Sequence, residues 1–293
     1  MNITNVTVLG AGVLGAQIAL VTAVRGFNVV SYDINDDALE AAKKRFDTFG
    51  KQMAAELDDV TADTVAEGRE RLRQSSDLED AVKDADLVIE AVPEKLEIKK
   101  DTWARVGKAA PDNAVFATNT STLLPSSFAE ATGDPSRFLA LHFANHIWVN
   151  NTAEIMPHDG TDPALVDVLV EFAEAIKMVP VKLKKEQPGY IVNTLLVPFL
   201  QAGQYLLAND VAEPADIDRD WRNSTGSPAG PFEIMDVVGL RTVLSVNESE
   251  DSQEEWKKDF AVIVKQMIED GRIGVESGEG FFRYDDEGNR IDE

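Results

Sequence analysis

Short apolar runs alternate with longer amphipathic stretches through the first two thirds of the chain. Helical periodicity follows the first run and ends near Gly26, a residue that commonly ends helices. Residues 36–73 carry one or two long polar helical patterns with an Asp-rich interruption at 58–59. Alternation of this kind is typical of an α/β protein, and we predict an N-terminal Rossmann-type doubly wound sheet. The predicted strands are 6–9, 27–32, 85–91, 115–119, 138–143 and 179–183.

The strand–helix alternation stops at the Gln-Pro-Gly sequence of residues 187–189. Residues 190–207 are apolar nearly all round a helical circumference, which predicts a helix buried on several sides. Further helices are predicted at 214–221, 231–243 and 254–268. We therefore expect two domains, residues 1–187 with the sheet and residues 188–293 as a smaller all-helical C-terminal domain.

Composition narrows the functional classes. The 293-residue chain is 44% hydrophobic and 27% charged, as is ordinary for a globular protein. Its formal net charge of -24 argues against broad contact with nucleic acid or an anionic membrane surface. It has no cysteine, which excludes disulfides, thiolate chemistry and cysteine–zinc sites. With no apolar run of about eighteen residues and no signal-peptide pattern, we expect a cytoplasmic protein without a membrane span.

A dinucleotide-binding pattern opens the chain. A short apolar run leads directly into GAGVLG at residues 10–15, and an acidic residue ends the next predicted strand. In this context the glycines allow a tight turn, the helix N-terminus meets a pyrophosphate, and the acid accepts from ribose hydroxyls. An acid at that position favours NAD over NADP, whose additional phosphate it would repel. The candidate cofactor-binding residues here are Gly10, Gly12, Val13, Leu14, Gly15 and Asp33.

A candidate base stands at the end of the run 138–143. His142 occupies that end, and Glu154 follows twelve residues later in a second short apolar run. A carboxylate beside a histidine orients the ring and stabilises its protonated form, which is a common arrangement for a general base. The sequence gives their spacing and leaves their contact open.

Polar residues also follow two predicted buried strands, at the strand ends where α/β sheets bind ligands. Glu94 and Lys99 follow the run 85–91, and Ser121 follows the run 115–119. Spacing alone equally allows a helix-start glutamate, a surface lysine and a hydroxyl N-cap at these positions.

Several blocks together resemble the short-chain L-3-hydroxyacyl-CoA dehydrogenase family, of the 3-hydroxybutyryl-CoA dehydrogenase type. The resemblance covers nearly the whole chain and lies in blocks that stand in the family's order. These blocks are VTVLGAGVLGAQIA, DLVIEAVPEKLEIKK, NTSTL, LHFAN, QPGYIVNTLLVPFL, GSPAGPFEIMDVVGL and GEGFFRY.

The resemblance implies NAD-dependent oxidation of an L-3-hydroxyacyl-CoA, or the reverse reduction, in fatty acid metabolism. His142 would be the base with Glu154 as its partner, and Ser121 and Asn193 would hold the substrate's reacting oxygen or acyl carbonyl. The cofactor's nicotinamide ribose and ring would be lined by Glu94, Lys99 and Asn145. The resemblance also implies a homodimer through the helical domain, which would contribute to the substrate cleft.

Some positions differ from the family pattern and keep alternatives open. Thr194 stands where the family commonly has Arg, and Glu276 where a Lys is frequent, while residues 56–63 are acidic. Each change removes positive charge that a CoA ester would meet. A dehydrogenase of a CoA-free hydroxy acid, such as a sugar acid or a carnitine-like compound, is one alternative. A nucleotide-binding relative without turnover is another.

A metal site is a third possibility. His142 and His146 are four residues apart, and Glu154 lies downstream. Two histidines at that spacing converge on a metal when they lie on a helix, but this segment reads as a strand that enters a loop. We therefore predict no metal.

Overall fold

The computed structural model describes residues 1–249, 254–285 and 287–291. The chain divides into two compact units, residues 1–191 and residues 192–293. The domain boundary predicted after residue 187 lies just before this division.

The first unit contains an eight-stranded sheet with the strand order β3-β2-β1-β4-β5-β6-β7-β8. All neighbouring strands are parallel except β6 and β7. The predicted doubly wound α/β architecture is confirmed. In chain order the elements are β1 (Asn5–Leu9), α1 (Val13–Val24), β2 (Asn28–Tyr32), α2 (Asp36–Glu56), α3 (Ala62–Glu70), β3 (Leu72–Ser75), α4 (Leu78–Val82), β4 (Leu87–Glu90), α5 (Leu96–Ala109), β5 (Val115–Thr118), β6 (Phe138–Phe143), β7 (Thr152–Met156), α6 (Ala164–Ala175) and β8 (Val179–Lys182).

The central strands β4 and β5 are buried on both faces of the sheet. Successive side chains of a strand point to opposite sides, so each of these strands contributes to both layers of the core. Leu87 and Ile89 of β4 pack in a cluster that includes residues of α1, α2 and α6. Val88, between them, belongs to a second cluster with Trp103 of α5. Apolar runs without alternation are therefore what these strands require, which is the pattern that the sequence shows.

The long polar stretch 36–73 forms two helices because each has its own start signal. The side chain of Asn35 accepts a hydrogen bond from the backbone N–H of Ala38 at the start of α2. Thr61 forms a capping box with Thr64 at the start of α3. Such caps satisfy backbone donors that a helix N-terminus leaves unpaired. The acidic interruption predicted at residues 58–59 lies between these two helices.

The second unit is helical, as predicted, with a core that includes Phe232 and Phe260. The helix predicted at residues 231–243 is wrong in its extent, because Gly239 interrupts it with φ +89. The long apolar helix starts at Val192, two residues later than predicted. The helices are α7 (Val192–Ala208), α8 (Pro214–Thr225), α9 (Pro231–Val238), α10 (Leu240–Ser249) and α11 (Glu255–Glu269). Within the described ranges, no helix combines the length and the apolarity needed to cross a membrane.

Candidate functional site

The glycine-rich loop after β1 is built so tightly that larger residues would collide with backbone. Gly10 has φ +96, and a Cβ on it would lie 2.6 Å from the carbonyl oxygen of Ala91. A Cβ on Gly15 would lie 1.9 Å from the carbonyl oxygen of Gly10. By contrast, a Cβ on Gly12 would meet no atom within 4 Å. The loop surface at Gly12 is therefore open to a ligand.

The start of α1 fits the pyrophosphate of a dinucleotide. Gly12 is the N-cap residue, with no side-chain hydrogen bond to the first turn and no acidic residue in that turn. Backbone N–H groups at such a terminus are suited to an anion. Val13 is 53% exposed, and Leu14 is half-buried. The donor set and the bare backbone of Gly12 thus match the cofactor that the sequence motif predicts.

Asp33 lies directly after β2 and reaches back to the glycine-rich loop. Its Oδ2 accepts a hydrogen bond of 2.7 Å from the N–H of Ala11, and its Oδ1 accepts one of 2.8 Å from the N–H of Ile34. The side chain is half-buried. These contacts hold the carboxylate beside the loop, where the ribose of a bound dinucleotide would lie.

His142 and Glu154 are in contact because β6 and β7 pair antiparallel with these two residues directly opposite. The His142 Nδ1 lies 3.0 Å from the Glu154 Oε2. The other carboxylate oxygen, Oε1, accepts a hydrogen bond of 2.9 Å from the backbone N–H of Ile191. His142 is 5% and Glu154 3% exposed, so the pair is shielded from bulk water.

Ser121 completes a continuous series of side chains. Its Oγ lies 3.1 Å from the His142 Nε2. In a neutral His142, a proton on Nδ1 donates to the Glu154 carboxylate and leaves Nε2 as the unprotonated nitrogen. The basic nitrogen of His142 thus faces the Ser121 hydroxyl, at the carboxyl ends of β5 and β6.

Glu94 holds the loop that carries Ser121. Its Oε1 accepts from the N–H groups of Ser121 and Thr122, both at 2.9 Å, and from the Thr120 hydroxyl at 2.5 Å. Its Oε2 lies 3.1 Å from the Lys99 Nζ. Partial burial opposes ionisation, but the Lys99 charge and the loop donors outweigh it and hold the pKa of Glu94 at about 2.

Lys99 is not the surface residue that spacing alone allows, since its side chain is 1% exposed. Its Nζ lies 2.6 Å from the Oε1 of Glu90, which is fully buried at the end of β4. Glu90 also accepts from the Trp103 Nε1 and the Thr118 Oγ1, at 3.3 and 2.8 Å. The sequence reading missed Glu90, although an acid inside the apolar run 85–91 is itself a signal.

The loop after β6 contains Asn145, His146 and Trp148. Asn145 is exposed, and its backbone oxygen accepts from the Asn150 side chain. The His146 Nε2 lies 2.5 Å from the Glu56 Oε2, and Trp148 Nε1 donates to the same oxygen at 2.7 Å. His146 therefore pairs with α2, and His142 with β7. Asn193 lies in the first turn of α7, in the second unit.

The sequence also gave no indication that Tyr190 belongs to the site. Its ring stacks on His142, and no spacing rule links residues that far apart in the chain. The backbone of Tyr190 has φ +54. The preceding Pro188-Gly189 pair indicates a turn here, but it does not indicate where the tyrosine side chain lies.

Family models match the chain in two consecutive parts. The "3-hydroxyacyl-CoA dehydrogenase, NAD binding domain" matches residues 5–187. The "3-hydroxyacyl-CoA dehydrogenase, C-terminal domain" matches residues 189–284. Together they span nearly all of the chain.

Individual proteins are similar over almost their full lengths. A probable 3-hydroxyacyl-CoA dehydrogenase of Caenorhabditis elegans is 36% identical over 96% of this chain and 93% of its own. The solved structure of a diketoreductase, described for substrate-directed dual catalysis of dicarbonyl compounds, is 51% identical with a TM-score of 0.93, over 97% of this chain and 100% of its own. An (S)-3-hydroxybutyryl-CoA dehydrogenase from Ralstonia eutropha is 27% identical with a TM-score of 0.83, at the same coverages.

Proposed function

Because this chain belongs to the 3-hydroxyacyl-CoA dehydrogenase family, whose members are NAD-dependent oxidoreductases, we propose that it interconverts an L-3-hydroxyacyl-CoA and the 3-ketoacyl-CoA. The two family models confirm the family resemblance seen in the sequence motifs. The observation that supports this reaction most directly is the series Ser121–His142–Glu154, in which one imidazole contacts a hydroxyl and a carboxylate.

In this proposal His142 moves one proton. In the oxidative direction its Nε2 takes the proton of the substrate's 3-hydroxyl, and the resulting imidazolium is stabilised by Glu154 across the 3.0 Å contact. In the reductive direction the protonated His142 returns that proton to the ketone oxygen. Glu154 fixes the orientation of the imidazole ring and is itself held by the Ile191 N–H. Because the ring is already oriented, less conformational entropy is lost when the proton is transferred.

When bound, NAD⁺ would accept the hydride from C3 of the hydroxyacyl substrate, and NADH would supply it in the reverse reduction. The chain would hold it through the open backbone at Gly12, the uncapped start of α1 and the carboxylate of Asp33. We also propose that Glu94, Lys99 and Asn145 border the nicotinamide and its ribose. In the structure Glu94 and Lys99 already hold each other, so their part there would be to shape the wall of the site.

Ser121 and Asn193 are the proposed polar groups for the substrate's reacting oxygen or acyl carbonyl. Ser121 is suited to this because its Oγ already lies within hydrogen-bond distance of the base. A substrate oxygen next to both Ser121 Oγ and His142 Nε2 would have a donor and a proton acceptor at once.

A CoA-free dicarbonyl compound is a second candidate substrate. It is favoured by the 51% identity to the diketoreductase. The charge around α2 and α3 points the same way, because two of the arginines there are paired with acids. Arg25 lies 2.7 Å from Asp59, and Arg69 lies 3.9 Å from Asp47. Paired cations attract the phosphates of a CoA ester less than free ones do.

The experiment that tests the proposal follows NADH oxidation by the purified protein through the loss of NADH absorbance. Acetoacetyl-CoA is compared with CoA-free 3-ketoacids and β-diketones, and His142→Gln is measured beside the parent protein. Turnover with acetoacetyl-CoA that His142→Gln abolishes is the expected result. Turnover only with the CoA-free compounds would favour the second candidate substrate, with the same proton transfer by His142. Full activity in His142→Gln would overturn the mechanism.

We further propose that the helical unit forms a homodimer. In a single copy of the chain, helix α7 exposes apolar side chains, with Leu195 68% and Tyr205 48% exposed. Large apolar residues exposed on one helix are typical of a covered interface. Light scattering coupled to size-exclusion chromatography would give twice the 32.0 kDa chain mass. A monomer at micromolar concentration would contradict this.

A further inference from the structure

Tyr190 lies against the candidate base. Its ring is parallel to that of His142, with 4.4 Å between centroids and 14° between planes. Tyr190 is 1% exposed and cannot be part of a flexible surface. One face of the imidazole is therefore covered by an aromatic ring, while its two nitrogens contact Ser121 and Glu154.

The Tyr190 hydroxyl extends this contact to the neighbouring loop. It donates a hydrogen bond of 2.7 Å to the backbone carbonyl oxygen of Thr120, the residue before Ser121. Burial raises the pKa of the phenol above its ordinary value, and the nearby carboxylates of Glu94 and Glu154 add to this. The hydroxyl therefore keeps its proton, and remains a donor, throughout the pH range of an enzyme assay.

The turn that carries Tyr190 also reaches the third member of the series. Tyr190 has φ +54 after Gly189 with φ +77, and its N–H donates to the Gln187 carbonyl oxygen at 3.0 Å. A left-handed backbone at a tyrosine is strained and persists only where surrounding contacts hold it. The next N–H, that of Ile191, donates to the Glu154 Oε1. Two consecutive residues thus contact His142, the Ser121 loop and Glu154.

We propose that Tyr190 is a positioning residue for proton transfer, which keeps the Ser121 hydroxyl and the His142 Nε2 aligned by holding the ring with one group and the loop with another. This inference rests on the proposed function. Glu94 holds the same loop from its N–H groups, while Tyr190 holds it from a carbonyl oxygen. Tyr190 provides the contact that couples the orientation of this loop to the orientation of the base.

Tyr190→Phe isolates the hydroxyl, because it retains the stacked ring. Loss of one neutral hydrogen bond, with the loop still held by Glu94, predicts a kcat decrease of roughly three- to tenfold. The KM for NADH and the fluorescence-detected affinity for NADH should stay unchanged, because the glycine-rich loop and Asp33 are untouched. Activity is expressed per NADH-binding site, so that any unfolded fraction does not count as a catalytic loss.

Tyr284→Phe is the matched control. Tyr284 is also buried, and its hydroxyl donates 2.9 Å to the Asp236 Oδ2 in the second unit. The same chemical change should lower the melting temperature and leave kcat per binding site unaltered. An equal kcat loss in this control would show that any buried phenol affects turnover, which would overturn a specific role for Tyr190.

A double-mutant cycle with Ser121→Ala separates positioning from general support of the fold. If Tyr190 acts through the Ser121 loop, Tyr190→Phe should cost little further kcat once the serine hydroxyl is absent. If Tyr190→Phe lowered kcat by the same factor with and without Ser121→Ala, the inference would be overturned. A Tyr190→Phe enzyme within twofold of the parent kcat would also overturn it, while His142→Gln still abolished turnover. If His142→Gln retained full activity, the proposed function itself would fail.

Discussion

Removing the buried ammonium of Lys99 tests how the N-terminal unit tolerates charge in its core. In Lys99→Met, Glu90 keeps its place in the fully buried end of β4 and loses its cation at 2.6 Å. Methionine has a similar length and is apolar, so packing changes little. The variant therefore measures mainly the uncompensated carboxylate.

The expected loss is about 3 kcal/mol of unfolding free energy. Breaking a buried ion pair by removal of one partner typically costs about 3–5 kcal/mol. Glu90 retains three neutral donors, the N–H of Val92, the indole of Trp103 and the hydroxyl of Thr118, which places the cost at the lower end. The converse change, Glu90→Gln, leaves the ammonium 3.1 Å from Glu94 and should cost less, about 1–2 kcal/mol.

Urea denaturation followed by far-ultraviolet circular dichroism measures these free energies. The matched control is Lys182→Met, which removes an exposed lysine whose Nζ lies 3.4 Å from Asp167, and should change stability by about 0.5 kcal/mol or less. The double variant Lys99→Met/Glu90→Gln should be less destabilised than the sum of the two single changes, because no unpaired charge remains at the buried end of β4. A loss below about 1 kcal/mol for Lys99→Met, or strict additivity in the double variant, would refute the reasoning.

Four further results follow from the structure. His142→Gln should lower kcat by roughly 10²–10⁴-fold and spare NADH affinity, measured by stopped-flow turnover and fluorescence titration. Asp33→Ala should weaken NADH binding by roughly tenfold and lower kcat at saturation much less, because its carboxylate lies at the glycine-rich loop. Gly15→Ala should abolish NADH binding or lower the melting temperature, since the added Cβ would lie 1.9 Å from a backbone oxygen; an unchanged variant would show that the loop can move. Burial raises the pKa of Asp236 to about 6 despite backbone donors, so the folded state binds this proton more tightly than the unfolded one. Relative to Asp236→Asn, the parent protein should therefore lose about 2 kcal/mol as pH rises from about 4 to about 6; a constant difference across that range would contradict the assignment.

The sequence by itself determined most of the architecture. The apolar runs predicted buried strands, and β6 coincides with the predicted run 138–143. The glycine-rich pattern with Asp33 predicted a nucleotide-binding loop, and the structure brings that carboxylate to the loop. These features are readable because each depends on local constraints, such as side-chain periodicity, glycine conformations and helix starts. The helix end at Gly239 is an exception, since an isolated glycine in an apolar pattern is compatible with either continuation or a break.

Only the tertiary structure decided which polar groups meet. Antiparallel pairing of β6 with β7 places His142 opposite Glu154, and a register shifted by one residue would have sent the two side chains to opposite faces. Glu94 and Lys99 were expected near the cofactor, but their observed contacts with the Ser121 loop and with Glu90 depend on parallel strands whose ends meet at one edge. Tyr190 reaches His142 through a left-handed turn after Gly189. Contacts between residues far apart in the chain are set by sheet register and turn geometry, which spacing along one sequence does not encode.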